Sequence, residues 1–158
     1  MVKTKNVYIV PVRKKDRGEI ISDSRAHSGI LENAIDFALP VGTPILAAAD
    51  GKVVFVKDDS KKNGGKRWYA NLNSVIIKHK NKEYSEYSHL KYNGSLVEKG
   101  QFVKRGDIIG YSGNTGWSTQ PHLHFQISPR GSIINPGRTL KIRFNERLKV
   151  LRLYVEKL

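Results

Sequence analysis

Apolar and polar residues alternate in short runs along most of the chain, and turn-forming residues separate the runs. Val7 to Val10 is predicted to form a first strand, followed by a charged loop from Arg13 to Arg25. The stretch from Pro44 to Lys57 is rich in Ala, Val and Ile, and its Asp50-Gly51 pair is a turn signal between two strands. Asp58 to Arg67 is polar and is predicted to be an exposed loop.

The second half of the chain continues this pattern. Two apolar runs, Ser74 to Lys80 and Glu83 to His89, flank Asn81-Lys82 and predict a hairpin. Further strands are predicted for Asp107 to Tyr111 and for His122 to Ser128, on either side of a polar loop. Recurrent short strands with Gly-rich turns are typical of a mainly β, antiparallel fold, and no long helix is predicted before residue 140.

The C-terminal residues carry two conflicting patterns. One alternates as in a strand, in Leu140, Ile142 and Phe144. The other has a helical spacing, in Leu148, Leu151, Val155 and Leu158. A terminal element that packs on the sheet is favoured over a dedicated partner helix, but periodicity leaves open whether it is a strand or a helix.

Length and composition narrow the class of protein. A chain of 158 residues suits one domain, 1–158, with its own core. There is no cysteine, which excludes thiol nucleophiles, disulfides and Cys-ligated zinc. The net charge of +14 implies an anionic partner, and wall polymers, nucleic acid and anionic lipid all meet that requirement.

The sequence shows no membrane span and no visible signal peptide. No apolar run approaches the ~20 residues of a spanning helix. Near the N-terminus only Val7 to Val10 precedes Pro11, which is shorter than the ~7–15 apolar residues of a signal peptide. The route of export is therefore left open.

His122 and His124 lie one residue apart in the strand-like run from Pro121 to Phe125. Successive side chains of a strand point to opposite faces, so these two histidines are expected to project from the same surface. Two imidazoles on one rigid face suit a metal ligand beside a proton carrier. Taken alone, the pattern is a weak signal, and two histidines on a solvated strand face would be favoured if nothing else in the chain completed a site.

Three residues elsewhere could complete a metal site. His27 and Asp36 flank a predicted strand start, and His89 ends another strand-like run. With His124, the first two form a nitrogen, oxygen, nitrogen set that suits tetrahedral zinc with one open position, as in catalytic rather than structural zinc sites. His89 and His122 then remain as proton carriers or oxyanion stabilisers.

Each candidate also has a structural interpretation. A buried carboxylate is costly unless it is paired or bound to metal, which favours Asp36 as a ligand over a surface acid. His79 is the one histidine outside these candidates. It lies beside a turn without a partner motif and is predicted to be structural. Trp117 could line a substrate groove or pin a Gly-rich loop, and the sequence supports both equally.

The chain resembles the lysostaphin-type (LytM-like) zinc metallopeptidases over roughly 25–136. Several blocks occur in that family's order, and together they are highly specific although each is weak alone. They are Ala34-Ile35-Asp36-Phe37-Ala38, Pro40 to Ala48, Asp50 to Val53, Tyr87-Ser88-His89-Leu90, Gly100 to Asp107, Gly113-Asn114-Thr115-Gly116 and Pro121 to Phe125.

The resemblance implies a fold and an activity. It implies an antiparallel β-sheet domain of the LytM/lysostaphin type (duplicated hybrid motif-like), with a core at 25–136, an N-terminal strand and loop at 1–24 and a C-terminal extension at 137–158. It also implies a metalloendopeptidase that hydrolyses peptide cross-links of bacterial peptidoglycan with one Zn²⁺ per chain. The expected location is the cell envelope or the extracellular space.

Carried over by position, the resemblance makes His27, Asp36 and His124 the zinc ligands, and His89 and His122 the catalytic histidines. One spacing differs from the family pattern. The usual first motif is H-x3-D, and the residue at that spacing before Asp36 is Glu32. His27 is favoured as the first ligand because His-Ser-Gly matches the family's residues there, with Glu32 as the alternative carboxylate.

Two other functions compete with the peptidase. One is a non-catalytic relative that binds the wall or activates an amidase, but such relatives usually lose metal ligands. The other is a basic nucleic-acid-binding β domain, which the charge supports and which the missing aromatic-basic RNA-binding signature disfavours. Anionic wall polymers are expected as additional partners because of the positive charge.

Overall fold

A computed structural model describes residues 2–23, 26–149 and 151–153. It confirms the predicted mainly β fold, and the helices in the described residues are short 3-10 turns. The strands are β1 (Ile20–Asp23), β2 (Ile35–Ala38), β3 (Pro44–Leu46), β4 (Gly51–Lys57), β5 (Asn63–Gly64), β6 (Ser74–Lys78), β7 (Tyr84–Ser88), β8 (Leu90–Ser95), β9 (Phe102–Val103), β10 (Ile108–Ser112), β11 (Gly116–Trp117), β12 (His122–Ser128) and β13 (Leu151–Leu153). The 3-10 turns are Lys14–Asp16, Gly29–Leu31, Lys66–Asn71 and Lys80–Lys82.

The strands form one large sheet and two small ones. The large sheet has the order β13-β1-β2-β12-β7-β6-β4-β9, and its neighbours are antiparallel except for the parallel pair β1 and β13. A three-stranded antiparallel sheet has the order β3-β10-β8, and β11 pairs with β5 in parallel. The antiparallel prediction is therefore confirmed for most pairs.

The central strands of the large sheet divide their side chains between two faces. On β12, Leu123, Phe125 and Ile127 are fully buried and join the hydrophobic core. Tyr87 of β7 and Phe37 of β2 lie in the same core. Most alternate positions of the three strands are polar, with Ala38 of β2 as an exception, so the period of two concentrates polar groups on the opposite face of the sheet.

The predicted hairpin around Asn81-Lys82 is confirmed. β6 and β7 pair antiparallel, and Lys78 lies opposite Tyr84 at the closed end. Asn81 and Lys82 both have positive φ angles, 61° and 55°. This left-handed conformation reverses the chain, and Asn adopts it more readily than most residues do.

Two local predictions for the first half of the chain need correction. Residues 7–10 do not form a strand, because the segment makes only an isolated bridge from Tyr8 to Phe144. The predicted loop at 58–67 includes the short strand β5. Asp50-Gly51 does separate two strands, but β3 and β4 belong to different sheets and do not pair with each other.

The C-terminal extension returns to the body of the domain. Leu140, Ile142, Phe144 and Leu148 pack against the core although they form no continuous strand. Leu151 lies in β13, whereas Val155 and Leu158, which belong to the helical pattern, lie outside the described residues. In the part of the chain that is described, no helix is long and apolar enough to cross a membrane.

Candidate active site

Asp36 and His124 lie directly opposite each other on neighbouring strands, β2 and β12. The Nδ1 of His124 is 3.1 Å from Oδ1 of Asp36. Both side chains project from the polar face because their strand neighbours Phe37, Leu123 and Phe125 fill the core on the other face. The strand register therefore brings a carboxylate and an imidazole together across 88 residues of sequence.

His27 reaches the same point from a loop that the C-terminal extension anchors. Asn33 in this loop donates from its side chain to the carbonyl oxygen of Thr139 at 2.8 Å. The backbone N–H of Thr139 donates to the carbonyl oxygen of Ile30 at 2.7 Å. These bonds hold the loop against the sheet, and His27 is buried with its Nε2 3.3 Å from Oδ1 of Asp36.

One atom from each of His27, Asp36 and His124 can bind the same cation. These three ligand atoms lie within 4.8 Å of one another. Among the described residues the Nδ1 of His27 has no hydrogen-bond partner, so the ring is held by its Nε2 contact with Asp36. Two imidazoles and a carboxylate without a thiol form a donor set that zinc accepts, so the residues fit a zinc site.

The pKa values of Asp36 and His124 indicate that the carboxylate of Asp36 carries a negative charge, which favours a cation beside it. Burial alone would raise the pKa of Asp36, but hydrogen bonds with His124 and His27 hold that pKa well below its usual range. Burial alone would lower the pKa of His124, but the hydrogen bond and charge of Asp36 raise it to about 9. Asp36 is therefore ionised. Its negative charge can be balanced either by a proton on His124 or by a bound metal cation.

His89 and His122 lie beside the cluster with their rings close together. Their ring centroids are 4.3 Å apart, and the Nε2 of His122 is 3.9 Å from Oδ1 of Asp36. The Nδ1–H of His89 donates to the carbonyl of Thr115 at 2.7 Å, and that of His122 donates to the carbonyl of Gln120 at 2.8 Å. A carbonyl oxygen can only accept, so both bonds leave Nε2 as the atom that can take up or release a proton.

The backbone places His89 where the chain passes from the large sheet into the three-stranded sheet. It separates the end of β7 from the start of β8, and its φ of 65° is uncommon for a residue other than glycine. Burial, followed by repulsion from His122 and His124, lowers the pKa of His89 to about 3. Repulsion between two rings this close disfavours a positive charge on both at once.

A chain of hydrogen-bonded polar side chains that was not predicted from the sequence continues from His124. The Nε2–H of His124 donates to Oε1 of Gln126 at 3.1 Å, and Nε2 of Gln126 donates to Oε2 of Glu86 at 2.9 Å. Ser88 donates from Oγ to Oε1 of Glu86 at 2.7 Å and also contacts Oγ of Ser74. Burial raises the pKa of Glu86, partly offset by the charge of His124 and by these hydrogen bonds.

Glu32 and His79 both lie outside the group of three possible ligands. Glu32 is not part of the ligand cluster, because its carboxylate pairs with Arg138 at 3.2 Å. His79 is buried and bonds the carbonyl of Asp50 at 2.8 Å and Oγ of Ser85 at 2.7 Å, as expected of a structural histidine. Burial lowers the pKa of His79.

An open groove of about 740 Å³ lies over the cluster. His27, Asp36, His89, His122 and His124 all line it, so each predicted site residue faces the same cavity. Its apolar walls include Tyr69, Leu72, Trp117, Ile133 and Pro136. Trp117 is 52% exposed and lines the groove, which agrees with the first of its two proposed roles.

The chain matches known proteins over the region that contains this site. The sequence model of peptidase family M23 matches residues 31–136, which include Asp36, His89, His122 and His124 but begin after His27. The chain is 44% identical over 103 residues to the peptidoglycan DD-endopeptidase ShyA of Vibrio cholerae, covering 65% of this chain and 21% of that protein. It is 37% identical over 110 residues to the DD-carboxypeptidase/endopeptidase Mpg of Neisseria meningitidis, covering 70% of this chain and 23% of that protein.

Solved structures show the same fold. The catalytic domain of the antimicrobial peptidase lysostaphin from Staphylococcus simulans superposes with a TM-score of 0.55 at 32% identity, covering 69% of this chain and 75% of that chain. A zinc-containing peptidase from Vibrio cholerae gives a TM-score of 0.58 at 34% identity, covering 77% and 36% of the two chains. The chain therefore spans most of the lysostaphin catalytic domain but less than a quarter of the two curated relatives' length.

Proposed function

The chain belongs to peptidase family M23, and we propose that it is a zinc-dependent endopeptidase that hydrolyses peptide cross-links of bacterial peptidoglycan. The observation that carries this proposal is the convergence of a three-residue cation site and a histidine pair on the floor of one groove. The names of its relatives support the substrate class, since they include peptidoglycan DD-endopeptidases. The site of action is then the cell envelope.

His27, Asp36 and His124 would hold one zinc ion per chain through Nε2, Oδ1 and Nδ1. When bound, zinc supplies a Lewis acid that polarises a carbonyl oxygen and lowers the pKa of water from ~15.7 towards ~7. The name of the zinc-containing relative from Vibrio cholerae supports this choice of metal. Without cysteine in the chain, the ligands must be histidines and carboxylates.

The histidine pair supplies the proton transfers of peptide hydrolysis. The bonds from Nδ1 to Thr115 and Gln120 orient Nε2 of His89 and His122 for reaction. One ring takes the proton of the attacking water, and the other donates to the developing oxyanion. The donating ring must carry a proton on Nε2 while the accepting ring is neutral there, and the proton taken from the water then passes to the leaving amine as the C–N bond breaks.

The extent of the domain, the aromatic walls of the groove and the net charge all suit a peptidoglycan substrate. The chain is proposed to act as a single domain, 1–158, with the family-like core at 25–136, because the C-terminal extension anchors the His27 loop through Thr139. Aromatic walls at Tyr69 and Trp117 suit contacts with peptide or glycan. The net charge of +14 favours association with anionic wall polymers.

Metal removal tests the proposed activity. Purified peptidoglycan should lose turbidity when the protein is added, and a chelator should stop the loss because the three ligands release their ion. Zinc restored in slight excess over the chelator should restore the rate. A rate that is unchanged after the protein has been shown by metal analysis to hold no zinc would contradict the proposal.

A pair of variants tests the first ligand. His27→Ala should abolish zinc retention, because it removes one of three converging ligand atoms. Glu32→Ala should leave zinc content nearly unchanged, because that carboxylate pairs with Arg138 outside the cluster. Metal analysis of both purified variants decides the assignment, and the reverse result would move the ligand to Glu32.

The competing functions predict different results. A non-catalytic wall-binding module would sediment with peptidoglycan and release no peptide from it. A nucleic-acid-binding domain would bind DNA with a steep salt dependence and show no hydrolysis. Turbidity, sedimentation and DNA-binding measurements on one preparation therefore separate the three functions.

A further inference from the structure

Glu86 is a buried carboxylate that the proposed chemistry does not use. It is 5% exposed and lies opposite Gln126 in the register of β7 and β12. Its hydrogen-bond partners in the described residues are the neutral side chains of Ser88 and Gln126. A buried carboxylate without a cation in contact is costly, so its place behind the ligand cluster requires a reason.

We propose that Glu86 is a positioning residue that acts through Gln126 to orient His124 and to supply a compensating negative charge for the metal. This inference rests on the proposed zinc site. A carboxylate can only accept, so it binds the amide nitrogen of Gln126 and turns the amide oxygen towards His124. That oxygen accepts the Nε2–H of His124, which leaves the Nδ1 lone pair facing the cation position beside Asp36.

Charge balance gives the second part of the role. Zinc with two neutral imidazoles and one carboxylate keeps a net charge of +1, and Asp36 is the only acid among the ligands. Glu86 is two hydrogen bonds from His124, and its largely buried carboxylate would reduce this excess charge. Groups behind metal ligands commonly change metal affinity by about 10–100-fold.

A charge swap separates this role from an ordinary packing role. Glu86→Gln keeps the shape but removes the charge, and it lets the Gln126 amide turn either way. Zinc affinity should fall by about 10–100-fold. The double variant Glu86→Gln with Gln126→Glu returns a carboxylate to the chain and places it directly on His124, so most of the lost affinity should return.

Stability without metal provides a second measurement. Glu86→Gln removes a buried charge, so the melting temperature of the chelated variant should be no lower than that of the chelated wild type. Glu83→Gln is the matched control, because Glu83 is also a buried acid but accepts bonds from the N-terminal residues Asn6 and Tyr8. It should lower the melting temperature and leave zinc affinity unchanged.

The measurement is the zinc dissociation constant of each purified protein, by competition with a chromophoric chelator. Weaker binding in Glu86→Gln with recovery in the double variant supports the proposal. Equal affinity of Glu86→Gln and wild type, or no recovery in the double variant, overturns it while leaving the proposed peptidase intact. A wild type that binds no zinc overturns both.

Discussion

Asp36→Ala should abolish both zinc retention and peptidoglycan hydrolysis. Its Oδ1 is the atom that His27, His122 and His124 all approach, at 3.3, 3.9 and 3.1 Å. Losing it removes one ligand and also the charge that attracts the cation. Metal ions stabilise transition-state charge by several kcal/mol, and each ~1.4 kcal/mol is tenfold in rate, so we expect a fall of roughly a thousandfold or more.

The test compares zinc content and hydrolysis rate on the same samples. Asp16→Ala is the control, since Asp16 pairs only with Arg13 in the described residues and is not part of the cluster. That variant should keep both zinc and activity. Near-zero zinc in wild type and Asp36→Ala alike would count against the peptidase.

His122→Ala and His89→Ala should separate chemistry from metal binding. Neither residue belongs to the three-ligand cluster, so both variants should retain zinc. Each lacks one of the two rings that handle protons, and general acid–base groups typically contribute ~10²–10⁴-fold to a rate. Hydrolysis should therefore fall by a factor in that range while zinc content stays near wild type.

His79→Ala is the matched histidine control for this pair. His79 is buried like His89, but its ring bonds Asp50 and Ser85 away from the groove. Its loss should lower the free energy of unfolding and leave the rate per folded molecule unchanged. If His79→Ala is as inactive as His122→Ala, the assigned roles are wrong. If neither of these two variants affects the rate, the chain binds peptidoglycan without hydrolysing it.

The side-chain alternation of β-strands explains how much of the site could be predicted. His122, His124 and Asp36 occupy polar positions between apolar neighbours, and the structure places them on one face as the period of two requires. The same period of two could also have predicted that Gln126 and Glu86 face the site. Gln126 follows His124 by two residues, and Glu86 precedes Ser88 by two, so both lie on the polar face that holds the site.

Long-range pairing explains what the sequence analysis missed. The contact of Glu86 with Gln126 depends on β7 lying beside β12, and a local pattern does not reveal which strands become neighbours. The structure of the N-terminal segment also depends on pairing with a distant part of the chain. Residues 7–10 are apolar enough for a strand, but Tyr8 pairs with Phe144 near the other end of the chain and forms only an isolated bridge.

The position of His27 also depends on distant contacts. The eight residues between His27 and Asp36 permit many loop conformations, and the observed one is held by Thr139 from the C-terminal extension. The family match begins after His27, so the sequence favours this ligand only through the local His-Ser-Gly pattern. The geometry supports His27 over Glu32, and the zinc contents of the two alanine variants are its test.

Mass spectrometry of the soluble fragments from digested peptidoglycan tests the central claim most directly. Zinc-loaded wild type should release fragments with newly exposed amino and carboxyl groups within the cross-links and with intact glycan strands. Asp36→Ala, treated identically, should release none. Fragments with cleaved glycosidic bonds, or no fragments from wild type that demonstrably holds zinc, would contradict the assignment of this chain as a peptide-bond hydrolase.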